Sequence, residues 1–273
     1  HKLLSYNRNI DRVITYDLDF SVRGILKFFL TRFIKVLRSF NKEDFDLIIY
    51  IHPNPVRSLL YFLFPARRKV YNRINKHKFY EVEDILNYLK VPVVADYSIS
   101  FDYSSGILSS NNLEKNGYIV IDLYAQHLEQ DPRQWPYFEE LIKLLCTKTS
   151  KKIVITGING KHQPKKGIVD LVNRTSLDDL MFVIKNAALV ISMDTFLFHL
   201  SYVFKTPVIA LFGPVDPDDR KPTDGNAVYK TIYKNTFCSP CIKNKVIVKC
   251  NNNYQCMNGI SVQEVIESME EFL

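Results

Sequence analysis

The stretch Ser192-Met193-Asp194-Thr195, with His199 just beyond it, combines the residue types and spacing best suited to chemistry. The apolar run Leu189–Met193 reads as a strand and Thr195–Phe204 as a helix. Asp194 thus leaves the strand and Thr195 opens the helix. A helix start presents backbone N–H groups without intrahelical partners, which attract an anion. His199 follows Thr195 by four residues, on the same helix face. The plainer reading makes Asp194 or Thr195 an ordinary N-cap and His199 a core histidine, and this stretch alone leaves both open.

Two further strand ends are polar. Pro207–Phe212 runs into Gly213-Pro214-Val215-Asp216-Pro217, where Gly213 permits close backbone approach and the prolines stiffen the loop. The strand Tyr118–Leu123 leads through Gln126 to Asp131-Pro132-Arg133-Gln134-Trp135-Pro136. Arg133 stands just before a helix and suits a phosphate. Trp135, the only tryptophan, reads as a packing anchor. Cys238, Cys241, Cys250 and Cys256 form a C-x2-C-x8-C-x5-C pattern, a candidate metal site for zinc or iron. Four reduced thiols or one disulfide is the alternative. Cys146 lies alone in a helical pattern.

These groups need elements to hold them. Further strands are expected at Val13–Tyr16, Asp46–Ile51 and Lys152–Thr156. Helices are expected over 22–38, Pro55–Phe64, Glu81–Leu89, Pro136–Cys146, Ser176–Asn186 and Val262–Phe272. Residues 96–116, rich in Ser, Asp, Asn and Tyr, read as a linker. Strands alternating with helices predict an α/β fold with parallel sheets covered on both faces. Two domains are expected, 1–110 and 111–273.

The composition, 47% hydrophobic and 24% charged, is that of a globular chain rather than a disordered one. No stretch approaches the roughly 20 apolar residues of a membrane span. No signal-peptide pattern appears, which predicts a cytoplasmic location. The net charge of +7 is uneven: residues 1–92 hold 17 Lys and Arg against 9 Asp and Glu, and residues 93–273 hold 19 against 20. The basic first part suits an anionic partner or membrane surface, or is a solvated face. No recognition-helix, OB or RRM signature points to nucleic acid.

Taken in order, these motifs resemble the bacterial lipopolysaccharide heptosyltransferase family, glycosyltransferases of the GT-B fold that use ADP-heptose. The resemblance is carried by YIVIDLY, by Arg133-Gln134-Trp135-Pro136, by KIVITG and by Thr175-Ser176-Leu177. The hallmark helix start appears as SMDTFLFH and the following strand and turn as PVIALFGPVDP. Cys238-Ser239-Pro240-Cys241 matches a further family feature. The resemblance covers residues 117–273, whereas 8–92 match only in rhythm.

The resemblance implies two Rossmann-like domains facing a cleft. It implies inverting transfer from an ADP-sugar to an anionic glycolipid or surface-glycan acceptor, with no cofactor required and peripheral contact at the cytoplasmic face of the inner membrane. It places Asp194, Thr195 and His199 at the donor diphosphate and sugar. Arg133 stands where the family uses a lysine, Thr175 beside the adenine, and Gly157 and Asn159 near the ribose. Gln126 and Gly213 complete the expected donor site.

Two departures stand out. Phe196 replaces the hallmark glycine, which narrows the pocket and leaves another nucleotide sugar, or an inactive nucleotide-binding paralogue, as alternatives. The family's catalytic aspartate follows its first strand, and no matching segment precedes residues 8–16. The resemblance therefore predicts a first domain incomplete at its N-terminus, with the base before His1. These residues alone are expected to bind ADP-type ligands but transfer sugar poorly. Within the chain, the candidates for a base are His52 and Asp17.

Charge reversal at three of Arg57, Arg67, Arg68, Lys69, Arg73 and Lys76 is expected to weaken binding to anionic liposomes. The loss should shrink as salt rises. Co-sedimentation across a salt series checks it.

Overall fold

The computed structural model describes residues 4–7, 10–13, 45–50, 66–71, 90, 100–124, 131–158, 167–220, 228–242 and 250–273. The chain divides into two units, His1–Val94 and Ala95–Leu273. The helices expected over 22–38, Pro55–Phe64 and Glu81–Leu89 lie outside the described residues, as does most of Val13–Tyr16.

In the first unit, β1 (Phe45–Tyr50) pairs in parallel with β2 (Ala66–Tyr71), from Phe45 opposite Ala66 to Tyr50 opposite Tyr71. The β1 strand matches the sequence expectation within a residue. The β2 strand, ARRKVY, is a strand that the sequence reading did not contain, because Arg67, Arg68 and Lys69 interrupt its apolar character. Arg67 pairs with Asp46 across the two strands at 3.2 Å. Both side chains are more than four-fifths exposed, so the pair contributes at most about 1 kcal/mol.

The second unit is built on six parallel strands in the order β5-β4-β3-β6-β7-β8. They are β3 (Tyr118–Asp122), β4 (Lys152–Thr156), β5 (Ile168–Asp170), β6 (Leu189–Met193), β7 (Val208–Phe212) and β8 (Tyr229–Tyr233). Every residue of β3, β6 and β7 is buried, as continuous apolar runs in a twice-covered sheet should be. On one face, Ile119, Ile121, Ile191 and Leu211 join a core with α2 (Phe138–Lys148), the short α5 (Gln255–Asn258) through Cys256 and Met257, and α6 (Val262–Met269). On the other face the Tyr118 hydroxyl donates to the Val183 carbonyl of α3 (Leu177–Lys185) at 2.7 Å. The helix α4 (Phe196–Val203) follows β6. The edge strands β5 and β8 were absent from the sequence reading. They are short or half-buried, and Asp170 and Lys230 break their apolar pattern.

Residues 100–113, including α1 (Ile107–Ser110), fall in the second unit, where the sequence reading had placed most of them in the first. The reason is aromatic. Phe101 is buried, and its ring centroid lies 5.5 Å from that of Phe204. Tyr103 and Ser105 donate to Asp179 Oδ1 at 3.1 and 2.5 Å.

The helix ends follow local rules. Ser176 and Asp179 form a capping box on α3, as do Ser261 and Glu264 on α6. The chain moves outward from β3 to β5, then returns beside β3 with β6 and builds outward again. This reversal makes β3 and β6 neighbours and opens a crevice at their carboxyl ends, where such sheets bind ligands. Among the described residues no helix is long and apolar enough to cross a membrane.

Trp135 pins the approach to this crevice. Its backbone N–H meets Met193 Sδ at 3.3 Å and its indole N–H donates to the Ile260 carbonyl at 3.0 Å. Trp135→Ala is expected to cost about 3–5 kcal/mol. Trp135→Phe should cost about 1–3 kcal/mol, for the carbonyl left unpaired. Denaturant unfolding of both variants checks the order.

Candidate functional site

Three described chain segments meet at the carboxyl ends of β3 and β6. From β6, the chain leaves Met193 through Asp194 into α4, with Thr195 as extended N-cap. Thr195 Oγ1 accepts the Leu197 N–H at 3.3 Å. The remaining first-turn N–H groups and the helix dipole favour an anion here. Asp194 is 8% exposed. Its carboxylate faces His199 Nε2 at 4.0 Å and Arg220 Nε at 3.5 Å. The sequence-predicted trio of Asp194, Thr195 and His199 is therefore brought together.

Arg133 enters from the loop after β3. Its Nε and Nη2 donate to the two carboxylate oxygens of buried Asp131 at 2.9 and 2.7 Å. Its Nη1 donates to the Asp194 carbonyl at 2.9 Å. Hydrogen bonding to Asp131 holds its guanidinium still more firmly charged than usual. Among the described residues, these bonds engage three of its five N–H groups. The fork is thus fixed in place and retains donors for an anion beside the start of α4.

The third contribution, Asp122, was missed from the sequence. It ends β3, is 2% exposed, and accepts from Thr195 Oγ1 at 2.5 Å, with Ser192 Oγ at 3.4 Å. Burial pushes its carboxyl up to about 6, against the opposing hydrogen bonds of Thr195, Ser192 and the Tyr124 backbone and the charge of Arg133. Its signal in the sequence was a lone acid ending the apolar run YIVID. Asp131 and Arg220 were also passed over as site residues. Arg220 closes the short 3-10 helix Pro217–Asp219 after the Gly213 turn.

The other expected residues are placed as follows. Gly157 has a φ of +148° and turns the chain after β4, and a Cβ there would meet Tyr124 at 2.9 Å. A Cβ on Gly213 would lie 2.5 Å from Met257 Sδ and 2.9 Å from Cys256 Sγ. Packing against these two sulfurs accounts for Gly213 without any ligand. Thr175 precedes the Ser176 cap of α3. Phe196 is the first residue of α4 and only partly buried. Gln126, Asn159, His52 and Asp17 lie outside the described residues.

The four cysteines of the expected zinc or iron site lie near one another, since Cys256 feels the charges of Cys241, Cys238 and Cys250. Among the described residues, no three His, Cys, Asp or Glu side chains converge as metal ligands. Each sulfur has a different local setting. Cys256 is buried beside Gly213, Cys250 accepts the Tyr254 N–H at 3.2 Å, and Cys238 pairs with the Thr236 hydroxyl at 3.6 Å. The loop also holds the Gly213-Pro214 turn. The Cys241 and Ile242 N–H groups donate to the Pro214 carbonyl at 3.0 and 2.9 Å, and Ser239 Oγ donates to the Gly213 carbonyl.

A parallel sheet of this order, with basic groups and a helix start at its switch point, defines a doubly wound, Rossmann-like class of domain. The chain matches the model of glycosyltransferase family 9 (heptosyltransferase) over residues 76–251, and it belongs to that family. It is 32% identical over 109 residues to lipopolysaccharide heptosyltransferase 1 of Salmonella typhimurium, covering 36% of this chain and 34% of that one. It is 28% identical over 106 residues to lipooligosaccharide heptosyltransferase 2 of Campylobacter jejuni, covering 39% and 32%. The matches thus span about a third of these relatives' length. A glycosyl transferase family 9 structure from Veillonella parvula superposes with a TM-score of 0.75 at 20% identity, over 99% of this chain and 84% of that one. E. coli heptosyltransferase WaaC with ADP gives 0.64 at 17% identity, over 100% and 87%. The fold is accordingly α/β and of the GT-B class.

Because the folded Asp122 carboxyl sits above its ordinary value, its contribution to stability is full below about pH 4 and is lost as pH rises through about 6. Relative to Asp122→Asn, the wild type should lose up to about 3 kcal/mol across that window. Paired melting curves at pH 4, 5, 6 and 7.5 check both sign and window.

Proposed function

We propose that this protein is an inverting glycosyltransferase that moves a heptose-like sugar from an ADP-sugar to a lipopolysaccharide-core or related surface-glycan acceptor. The observation that carries this reading is the convergence of Arg133, Asp194, Thr195 and His199 at the β3–β6 switch point, in a family 9 chain. The start of α4 and the Arg133 fork would receive the diphosphate. Their positive potential offsets the charge that builds on the leaving nucleotide as the glycosidic bond breaks. Asp194, held between Arg220 and His199, would orient the sugar and the histidine. The acceptor hydroxyl attacks the anomeric carbon from the opposite side while a carboxylate takes its proton. Gly157 and Thr175 would flank the nucleoside, together with Asn159 and Gln126. The transfer needs no cofactor.

The basic first unit favours an anionic glycolipid acceptor at the cytoplasmic face of the inner membrane, with no nucleic-acid partner. One observation favours a different sugar on the nucleotide. Phe196, at the first position of α4, puts an aromatic ring where the hallmark glycine would leave open space.

Asp194→Ala and His199→Ala are each expected to reduce donor affinity or subsaturating turnover about tenfold or more. Phe196→Gly should change the preference among ADP-sugars rather than abolish binding. Titration with ADP and ADP-sugars, against a nucleic-acid control, decides the matter. Unchanged affinity in both alanine variants would remove the site from the donor.

A further inference from the structure

A hydroxyl has a single proton to donate. Thr195 Oγ1 accepts from the Leu197 N–H and stands 2.5 Å from Asp122 Oδ2. Ser192 Oγ lies 2.9 Å from the same threonine oxygen. An ionised carboxylate only accepts, so while Asp122 is charged the Thr195 proton points inward, at Asp122. A diphosphate at the start of α4 draws that proton outward. Both demands are met when the Asp122 carboxyl carries its own proton and donates it to Thr195 Oγ1.

We propose that Asp122 is a positioning residue that takes up one proton when a diphosphate docks at the start of α4, reversing its hydrogen bond with Thr195. This rests on the donor-site reading above. The balance is simple. One proton leaves solvent and binds an Asp122 carboxylate oxygen. The Thr195 proton rotates from Asp122 to a phosphate oxygen. No bond between heavy atoms changes, and the proton returns to solvent when the diphosphate leaves. Thr195 thereby becomes a donor to the ligand only while the ligand is present.

The surroundings favour this. Asp122 is already raised to about 6 by burial, and nearby phosphate charges act in the same direction. Arg133 opposes the shift and stays charged throughout. Asp131 is neutralised by Arg133, and Asp194 faces Arg220 and His199. The Tyr124 backbone N–H stabilises the ionised form. Histidine is the other residue type here able to change charge near neutral pH, so His199 needs its own control.

Isothermal titration of the full chain with ADP-glucose, in buffers of different ionisation enthalpy, counts protons taken up per ligand. Each phosphate of ADP-glucose carries one ester and one anhydride bond, so the ligand's phosphates contribute no titration near neutrality. At pH 7 the wild type should take up roughly half a proton or more. The uptake should survive in His199→Gln, despite weaker binding, and vanish in Asp122→Asn. Equal uptake in wild type and Asp122→Asn would overturn the inference. If Asp122→Asn does not fold, a pH series on His199→Gln replaces it. Uptake that declines from pH 7 towards pH 5 supports the proposal, and flat or absent uptake refutes it. Failure of the wild type to bind either ADP-glucose or ADP at any pH defeats the donor-site reading and this inference together. Binding without Asp122-dependent uptake defeats this inference alone.

Discussion

Burial of the central strands on both faces governs where polar chemistry can stand in the second unit. β3, β6 and β7 carry apolar side chains to either side, so their middles hold no charge. A charge placed there would lack both water and partner. Polar groups are therefore confined to the strand ends. The return of the chain from β5 to β6 then brings two of those ends side by side. Asp122 and the Ser192–Asp194 segment come within hydrogen-bond reach because β3 and β6 pair, with Ile121 opposite Ile191.

Within that crevice the charges interlock. Asp122 is buried against the Thr195 hydroxyl. Arg133 spans from Asp131 to the Asp194 carbonyl, joining the loop after β3 to the end of β6. Asp194 has Arg220 and His199 around its carboxylate. Trp135 secures the Arg133 loop from behind, through Met193 and Ile260. The fork is therefore oriented before any ligand arrives, and preorganisation of this kind is what makes electrostatic stabilisation effective.

Much of this was legible in the sequence, and the limits of legibility have physical causes. β3, β4, β6 and β7 were read within about a residue because doubly buried strands are unbroken apolar runs. β2, β5 and β8 were not, because basic or half-exposed residues interrupt them. Asp194, Thr195, His199 and Arg133 were found because each sits at a junction that local patterning marks. Asp122 was missed because its partner Thr195 is 73 residues away, and only the strand order brings them together. The cysteine spacing was legible as a cluster, and the folded chain sets Cys256 against Gly213 and Cys250 beside the Tyr254 backbone.

The Arg133–Asp131 bidentate pair restricts how this site can change by single substitutions. Asp131 is almost wholly enclosed, and its two carboxylate oxygens are matched by two arms of one planar group. A lysine at this position would offer one point charge and could not span both oxygens and the Asp194 carbonyl. Exchange of arginine for lysine here would leave Asp131 partly unmatched unless Asp131 had changed first. The two positions therefore form a coupled pair whose substitutions are order-dependent.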